Sequence, residues 1–299
     1  MWHKGVKHMS QLYDIGIFGG DLRQVYMIKS LLSKGYRIAT YAAFEKISHE
    51  NCIQVQTLNE LFEKCGVLIG PIPFSKDQIS VTAKNPPSDL TIAHVAYLLT
   101  DHHYIIAGNL PEPITSLCDS MHIRYYDLMK DEKITILNAI ATAEGTIMEA
   151  IAAGDCNLHG SKCLVLGYGR CAKILSQKLK ALDAIVTVAA RSEEALAYAN
   201  ASGLITVRLS DIKCILPSFQ YVFNTIPALI VDRDYLDLMD KDVTIIDIAS
   251  APGGVDFDYA KRLKLNAKLC LGLPGRVAPR TSADIMVTEI TALIKERSD

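Results

Sequence analysis

The chain has 299 residues, and at about 100–200 residues per domain that length indicates two domains. With 49% hydrophobic and 21% charged residues, the composition is that of a globular protein and excludes disordered and fibrous classes. The 31 Lys and Arg residues against 33 Asp and Glu residues give a net charge of −2, so we expect no nucleic-acid partner. The longest apolar runs, such as Ala93–Leu99, are much shorter than the roughly 20 residues of a membrane span, so we also expect no membrane partner.

In chain order, short apolar runs alternate with longer amphipathic runs. Strands are predicted in the first half at Tyr13–Phe18, Arg37–Tyr41, Val67–Ile69, Tyr104–Ala107 and Ile123–Tyr126. Helices are predicted between them at Leu22–Ser33, Leu58–Lys64, Asp89–Leu99 and Glu112–Met121. This alternation indicates parallel βαβ units with helices on both faces of a sheet.

The second half repeats the pattern after an Ala-rich segment over 134–153, whose propensity predicts a long connecting helix. Its strands are predicted at Cys163–Leu166, Ile185–Ala190, Tyr221–Asn224, Val243–Ile248 and Ala267–Leu269. The predicted fold class is therefore α/β, with two doubly wound, Rossmann-like parallel-sheet domains joined by the long helix. We expect residues 1–133 to form a flavodoxin- or Rossmann-like substrate-side domain and residues 134–281 a dinucleotide-binding domain. A C-terminal helix over 282–299 is expected to pack back toward the first domain.

Cysteine and N-terminal patterns bear on the environment of the protein. The eight cysteines include no C-x-x-C pair, and several stand in apolar, strand-like runs, which indicates a reducing cytoplasm. The N-terminus has no apolar signal-peptide core, so we expect no secretion signal. Residues 1–8 are either native or an extension before a second start at Met9, and the sequence leaves both interpretations open.

The most informative motif is a glycine-rich turn that follows an apolar strand and opens a helix. It has the form G-x-G-x-x-A and consists of Gly167, Tyr168, Gly169, Arg170, Cys171 and Ala172. The first glycine permits a tight turn, the second lets the backbone approach a pyrophosphate, and the alanine lets helix and strand pack closely. A mere strand–helix turn is the alternative, but the strand before and the helix after favour a dinucleotide site.

The end of the next strand distinguishes between the two nicotinamide cofactors. NAD sites place an Asp or Glu about 20 residues after the glycines, where it binds the ribose 2′-hydroxyl. Here that carboxylate is absent, and Arg191 and Ser192 follow the strand instead. A guanidinium and a hydroxyl suit a 2′-phosphate, so we expect NADP(H), although a solvated surface arginine is the alternative. Glu193 and Glu194 follow directly and weaken the positive field.

Two further strand ends belong to the same predicted crevice, because ligands of open α/β sheets bind at the carboxyl ends of the strands. The candidate cofactor-binding residues there are Asn224, Thr225, Ile226 and Pro227 after one strand, and Ala249 and Ser250 after the next. Ordinary turn chemistry is the alternative at both places. Asp247 is expected to be a polar group inside its strand, held by a neighbouring amide.

Two groups of residues are candidates for binding a carboxylate substrate. Arg276, Arg280 and Thr281 lie in a Gly- and Pro-rich loop that enters the last helix, where cations and a helix N-terminus favour an anion. Gly20, Arg23 and Gln24 follow the first strand; they either reach the substrate cleft or belong to a helix capped by Asp21. Solvated arginines are the alternative for the loop.

The eight histidines exclude two kinds of chemistry. None lies beyond His159, whereas a 2-hydroxyacid dehydrogenase of this architecture takes its acid–base histidine from the second half. The adjacent His102 and His103 have no further ligand at metal spacing, so no metal site is expected.

With these residues identified, nearly the whole chain resembles the dipicolinate synthase family of spore-forming bacteria, and within it the A subunit. The motifs that carry the resemblance are 19–24 (Gly-Gly-Asp-Leu-Arg-Gln), 138–145, 167–170, 189–191, 224–227, 247–254 and 272–279. The resemblance implies oxidation of dihydrodipicolinate to pyridine-2,6-dicarboxylate in the mother-cell cytoplasm during sporulation. It also implies a flavoprotein-like partner, the B subunit of the synthase, and we further expect a homo-oligomer.

The resemblance and the motifs together suggest a mechanism. NADP⁺ is expected to lie across the glycine turn, while Arg23, Arg276 or Arg280 binds the two carboxylates of the substrate. Because aromatisation drives the reaction, a strong base is not required, and the proton is expected to leave through Thr142, Glu144 or water. Two alternatives stay open: another NADP-dependent enzyme acting on a small carboxylate, or a nucleotide-binding scaffold whose flavoprotein partner does the redox chemistry.

Overall fold

The structure is a computed structural model that describes residues 12–298. The question of whether residues 1–8 are native therefore falls outside the described residues. The chain divides into two compact units: one runs to Ile134 and includes the chain again from Pro279, and the other is Thr135–Ala278. Elements are numbered below along the chain.

The first unit is built on a parallel sheet. Its strands are β1 (Ile15–Phe18), β2 (Ile38–Tyr41), β3 (Cys52–Gln54), β4 (Val67–Ile69), β5 (Tyr104–Ala107) and β6 (Arg124–Asp127). Its helices are α1 (Leu22–Ser33), α2 (Leu58–Lys64), α3 (Ile92–Leu98), α4 (Glu112–Met121) and, after the second unit, α11 (Pro279–Ser298). The strand order β3-β2-β1-β4-β5-β6 reverses between β1 and β4, as in a doubly wound fold.

The central strand β1 is buried along its whole length, because helices cover both faces of the sheet. Ile15 and Ile17 belong to the core on one face, together with Met27 of α1 and Met286 of α11. Phe18 belongs to the core on the opposite face, with residues of α2, α3 and α4. The alternation of side chains along one strand thus supplies both cores of this unit.

The second unit repeats the design. Its strands are β7 (Lys162–Leu166), β8 (Ile185–Ala190), β9 (Ile205–Arg208), β10 (Tyr221–Asn224), β11 (Thr244–Asp247) and β12 (Asn266–Leu269). Its helices are α5 (Glu132–Ala153), which starts just before the boundary, α6 (Arg170–Ala181), α7 (Glu193–Ala201), α8 (Arg233–Leu236), α9 (Phe257–Arg262) and α10 (Leu273–Val277). The order β12-β11-β10-β7-β8-β9 again reverses at the first strand, so the predicted class of two doubly wound α/β domains is confirmed.

The sequence analysis missed one strand in each sheet. The missing strands are β3 and β9, and each lies at one edge of its sheet. Both are short and partly exposed, with no fully buried position. An edge strand that buries little lacks the continuous apolar run by which the central strands were identified.

Three helix starts differ from the prediction, each for a local reason. The helix expected from Asp89 begins at Ile92, because the Thr91 hydroxyl accepts the His94 N–H at 3.1 Å and caps the helix. The connecting helix begins at Glu132 rather than residue 134. The last helix begins at Pro279 rather than residue 282, since proline suits a first helical turn.

The helix α5 is apolar on nearly all sides. Among residues 12–298 it alone has the length and composition of a membrane-spanning helix, a property that counting uninterrupted apolar runs did not reveal. Half of its most apolar 18-residue segment is buried within the protein, where Ala143 and Ala150 join the core of the second unit. Core helices of soluble proteins pass the same test, so the composition alone is weak evidence for a membrane span.

Candidate functional site

In the second unit the carboxyl ends of four strands are aligned at one edge of the sheet. Leu166 at the end of β7 pairs with Ala189 of β8 on one side and with Asn224 of β10 on the other. Asn224 in turn pairs with Asp247 at the end of β11. The strand order reverses between β7 and β10, and such a switch point is where open α/β sheets bind ligands.

The glycine turn at this edge is closely packed at Gly167. This residue has φ +93°, and its N–H donates to the Ala189 carbonyl at 2.8 Å. A Cβ added to it would lie 2.6 Å from Thr225 Oγ1. The Thr225 hydroxyl itself donates to the Leu166 carbonyl at 2.8 Å. Glycine is therefore required here both by backbone conformation and by the contact between the two central strands.

The second glycine of the turn is open. Apart from its own chain neighbours, no atom of the described residues lies within 4 Å of the position that a Cβ on Gly169 would occupy. Gly169 is the N-cap of α6, and no described side chain caps that helix. Ala172, one turn later, is fully buried in the core. Open space at an uncapped helix N-terminus fits the pyrophosphate of a dinucleotide.

The corresponding turn of the first unit is filled by protein. A Cβ on Gly19 would lie 2.5 Å from the Thr82 carbonyl oxygen, and one on Gly20 would overlap the side chain of Gln24. The Gln24 side chain also closes a capping box at the start of α1 with Asp21. This turn therefore offers no equivalent room for a phosphate.

A buried carboxylate organises the loops after β10 and β11. Asp247 is fully buried, and its Oδ1 accepts hydrogen bonds from the Asn224 amide and the Ala249 N–H, both at 2.9 Å. Its Oδ2 accepts the Gly254 N–H at 2.6 Å. The side chain of Asn224 is thus occupied by Asp247 and by the main chain of Ile226. What these loops present to a ligand is mainly the backbone around Pro227 and the exposed Ser250.

The residues after β8 are exposed and carry both signs of charge. Arg191 is exposed, while the Ser192 hydroxyl accepts the Ala195 N–H at 3.3 Å and caps α7. Glu193 does not neutralise Arg191 by a direct ion pair; its carboxylate binds Arg208 Nε at 2.9 Å. Arg208 pairs with Ala190 in the sheet register, so a second arginine stands at the same edge. Sequence analysis missed it because β9 gave no strand signal.

Three candidate residues lie where α5 contacts the start of α6. Arg170 Nη1 donates to the Thr135 hydroxyl at 2.8 Å, and the Thr142 hydroxyl donates to the Asn138 carbonyl at 3.1 Å. Burial raises the pKa of the Cys171 thiol, although a hydrogen bond with Thr142 opposes this shift, so the thiol is not a prepared nucleophile.

Glu144 is on the outer side of the same helix. Its side chain is 54% exposed and binds Lys178 Nζ of α6 at 2.9 Å. The carboxylate therefore has a cation partner and is open to solvent.

Arg276 is held by a buried carboxylate. Glu149 of α5, with a side chain 4% exposed, binds Arg276 Nη2 at 2.7 Å and also binds Lys268 Nζ of β12. The hydrogen bond from Lys268 is the main cause that lowers the pKa of Glu149, and burial opposes it. Two cations on one carboxylate leave a net positive charge, and the Arg276 side chain is still 53% exposed.

The remaining predicted substrate residues belong to the first unit. Arg23 is buried, and its guanidinium donates to both carboxylate oxygens of Asp21 and to the Ile72 carbonyl. Arg280 is 81% exposed and lies 4.0 Å from Asp284, and Thr281 beside it is exposed as well. No group of three or more potential metal ligands occurs among residues 12–298.

The two turn glycines are expected to respond differently to alanine. In Gly167→Ala the methyl group meets Thr225 and the positive φ is strained, so the free energy of unfolding should fall by about 1–3 kcal/mol. In Gly169→Ala the methyl group enters open space at φ −80°, so stability should change by less than about 0.5 kcal/mol. Urea unfolding followed by circular dichroism measures both, and equal losses would contradict this description of the turn.

The Glu149 cluster predicts a pH-dependent contribution to stability. Because folding lowers the pKa of Glu149, its contribution is present above the unfolded pKa near 4.5 and is lost as the pH falls through the folded value. Glu149→Gln should therefore cost about 1–3 kcal/mol at pH 7 and progressively less below pH 4.5. Glu144→Gln, which disrupts an exposed pair on the same helix, is the control and should cost less than about 1 kcal/mol. A Glu149 penalty that does not vary with pH would rule out the ionic explanation.

Comparison with known proteins gives three results. The family model for the N-terminal domain of the dipicolinate synthase A subunit matches residues 14–129. The A subunit of dipicolinate synthase from Bacillus subtilis (strain 168) is 30% identical over 285 residues, which cover 94% of this chain and 96% of that protein. The crystal structure of the same subunit from Bacillus halodurans matches with a TM-score of 0.85 and 30% identity, over 96% of this chain and 99% of that chain.

A more distant structure shares the fold. The D-lactate dehydrogenase from Escherichia coli, in its apo form, matches with a TM-score of 0.64 over 95% of this chain and 97% of that chain. At 13% identity this match shows a common architecture and nothing about the reaction.

Proposed function

The chain belongs to the family of the dipicolinate synthase A subunit, and from that premise we propose that it catalyses the NADP-dependent oxidation of dihydrodipicolinate to pyridine-2,6-dicarboxylate. The observation that supports this most directly is the open glycine turn at Gly169, at the switch point of the second sheet. It provides room for a pyrophosphate where the first unit, built on the same strand order, has none.

The residues present fit a dinucleotide. The backbone from Gly167 to Ala172 would hold its pyrophosphate, and the loops over 224–227 and 249–250 would contact the nicotinamide and its ribose. Arg191 would bind the 2′-phosphate, with Ser192 supplying a hydroxyl beside it. The pairing of Glu193 with Arg208 supports this assignment, because it keeps the Glu193 carboxylate out of a direct ion pair with Arg191.

The chemistry required of the side chains is modest. A bound nicotinamide supplies the hydride acceptor, and the dihydropyridine ring loses one hydride and one proton to become aromatic. Thr142, Glu144 or water would take the proton; the solvent-exposed Glu144 can pass it to bulk water. Arg276 would bind a substrate carboxylate, oriented by its hydrogen bond to the buried Glu149. Gly20, Arg23, Gln24, Arg280 and Thr281 of the first unit stay predictions for the substrate.

Family membership also suggests a partner and a cellular location. The proposed partner is the flavoprotein-like B subunit of the synthase, and the proposed location is the cytoplasm of the mother cell in a sporulating bacterium. The domain roles are part of the same proposal. Residues 1–133 would bind the substrate, and residues 134–281 would bind the cofactor. The helix over 282–299 would pack with the substrate-side domain.

The direct test measures dipicolinate formation from freshly generated dihydrodipicolinate with NADP⁺. The chain is assayed alone, with the B subunit, and as Arg191→Ala. Loss of the 2′-phosphate contact should raise the Kd for NADP⁺ about 10–100-fold and leave the Kd for NAD⁺ unchanged. Lys241→Ala is the matched control, because Lys241 is an exposed cation just before β11, at the opposite edge of the sheet.

Each outcome of this test has a separate meaning. Product that forms only with this chain, together with weaker NADP⁺ binding in the Arg191 variant, supports both reaction and cofactor. Product formation that does not depend on this chain contradicts the catalytic role and favours a scaffold. A preference for NAD⁺, unaffected by Arg191, contradicts the choice of cofactor alone.

A separate experiment tests whether the exposed Arg280 of the first unit binds the substrate. Arg280→Ala should raise KM about tenfold or more, because a charged hydrogen bond to a carboxylate is lost, while the melting temperature stays unchanged. Lys295→Ala removes a second exposed cation from the same helix and serves as the control. Arg23→Ala is measured in parallel with its melting temperature, since Arg23 also supports the α1 cap. Unchanged KM and turnover in both arginine variants would remove these residues from the substrate site.

A further inference from the structure

The outward side of α5 is an apolar stripe. Ile136, Ile140, Met148 and Ile151 are 43%, 40%, 47% and 60% exposed, and their spacing of three, four or eight residues places them on one side of the helix. Glu144 stands at the middle of this stripe. We call these five residues the α5 stripe.

Such a stripe requires an explanation. A helix that is apolar on all sides is normally buried, whereas α5 has only its inner side in the core of the second unit. Single exposed apolar residues are common on protein surfaces, but four large ones aligned along one helix, with only Glu144 between the two pairs, form a patch of the kind that marks a binding surface.

The arrangement of the stripe is nearly symmetric about Glu144. Ile140 and Met148 lie four residues on either side, while Ile136 and Ile151 lie eight and seven residues away. A two-fold axis at Glu144 that ran two copies of the helix antiparallel would place Ile140 of one copy against Met148 of the other. It would likewise bring Ile136 close to Ile151. Self-complementarity of this kind is what an isologous dimer contact requires.

The charges fit the same arrangement. Glu144 would meet its own symmetry mate at the axis, where two bare carboxylates would repel each other. Each Glu144, however, binds Lys178 of its own α6 at 2.9 Å, and the Lys178 side chain is itself 34% exposed. Two carboxylates and two ammonium groups at the axis would balance in charge.

We propose that the α5 stripe is the contact between two copies of this chain, with the two helices antiparallel about Glu144. This proposal does not depend on the cofactor. It places Glu144 between two copies and not in open solvent, so the substrate proton would then leave through Thr142 or water.

The first test measures the mass of the full chain by sedimentation velocity across micromolar concentrations. Wild type should sediment at twice the 32.9 kDa mass of the chain. Ile140→Glu should raise the dissociation constant of the dimer at least tenfold, so that monomer dominates at concentrations where wild type is a dimer. Ile205→Glu is the control: Ile205 is 54% exposed in the same unit but lies on β9, away from the stripe, and this variant should remain a dimer. A monomeric wild type, or a dimer unaffected by Ile140→Glu, overturns the proposal.

Cross-linking then tests the antiparallel geometry without relying on loss of association. In a background where the exposed Cys156 and Cys214 are replaced by serine, Glu144→Cys should form an intermolecular disulfide on mild oxidation. Ile136→Cys should not, because the two copies of residue 136 would be about 24 Å apart along the helix axes at 1.5 Å per residue.

Three results would overturn the proposal, the first from the cross-linking test and the other two from separate binding experiments with the partner subunit and with lipid vesicles. The first is cross-linking by Ile136→Cys in preference to Glu144→Cys, which indicates a parallel contact. The second is protection of the stripe only when the flavoprotein-like partner is added, which assigns the face to that partner. The third is binding of the wild type to lipid vesicles that Ile140→Glu abolishes while the sedimenting mass stays that of a monomer.

Discussion

The candidate site depends on one tight contact between the two central strands of the second sheet. The Thr225 hydroxyl of the loop after β10 donates to the last carbonyl of β7, and it occupies the space that a side chain on Gly167 would need. This contact fixes the path of the chain at the point where the strand order reverses. The start of α6, the open position at Gly169 and the alignment of the neighbouring strand ends all follow from that path.

A second constraint lies one strand further along. Asp247 is fully buried, and it accepts hydrogen bonds from the Asn224 side chain and from two N–H groups of its own following loop. A buried carboxylate is costly unless such donors surround it, so the loop after β11 is held in a single arrangement. The side chains of Asn224 and Thr225 thus shape the site from behind, while the backbone forms its surface.

The sequence was most informative where structure is local. Central strands such as β1 and β7 are buried on both faces and appear as apolar runs, and the glycine turn follows one of them directly. The edge strands β3 and β9 have no such signal, and with β9 the second arginine, Arg208, was missed as well. Pairs of distant residues were also hidden: Glu149 and Arg276 are 127 positions apart, and only the fold shows that this predicted substrate cation is held by a buried carboxylate.

The contrast between the two glycine turns has a consequence for stoichiometry. Both sheets have the same strand order, so topology alone would allow two nucleotide sites in each chain. In the first unit the Gln24 side chain and the Thr82 backbone fill the turn, whereas in the second the position beside Gly169 is empty. The packing therefore leaves room for at most one dinucleotide at the two glycine turns of each chain. The first sheet has the strand order of a nucleotide-binding fold without the open turn, so strand order alone does not identify a nucleotide site.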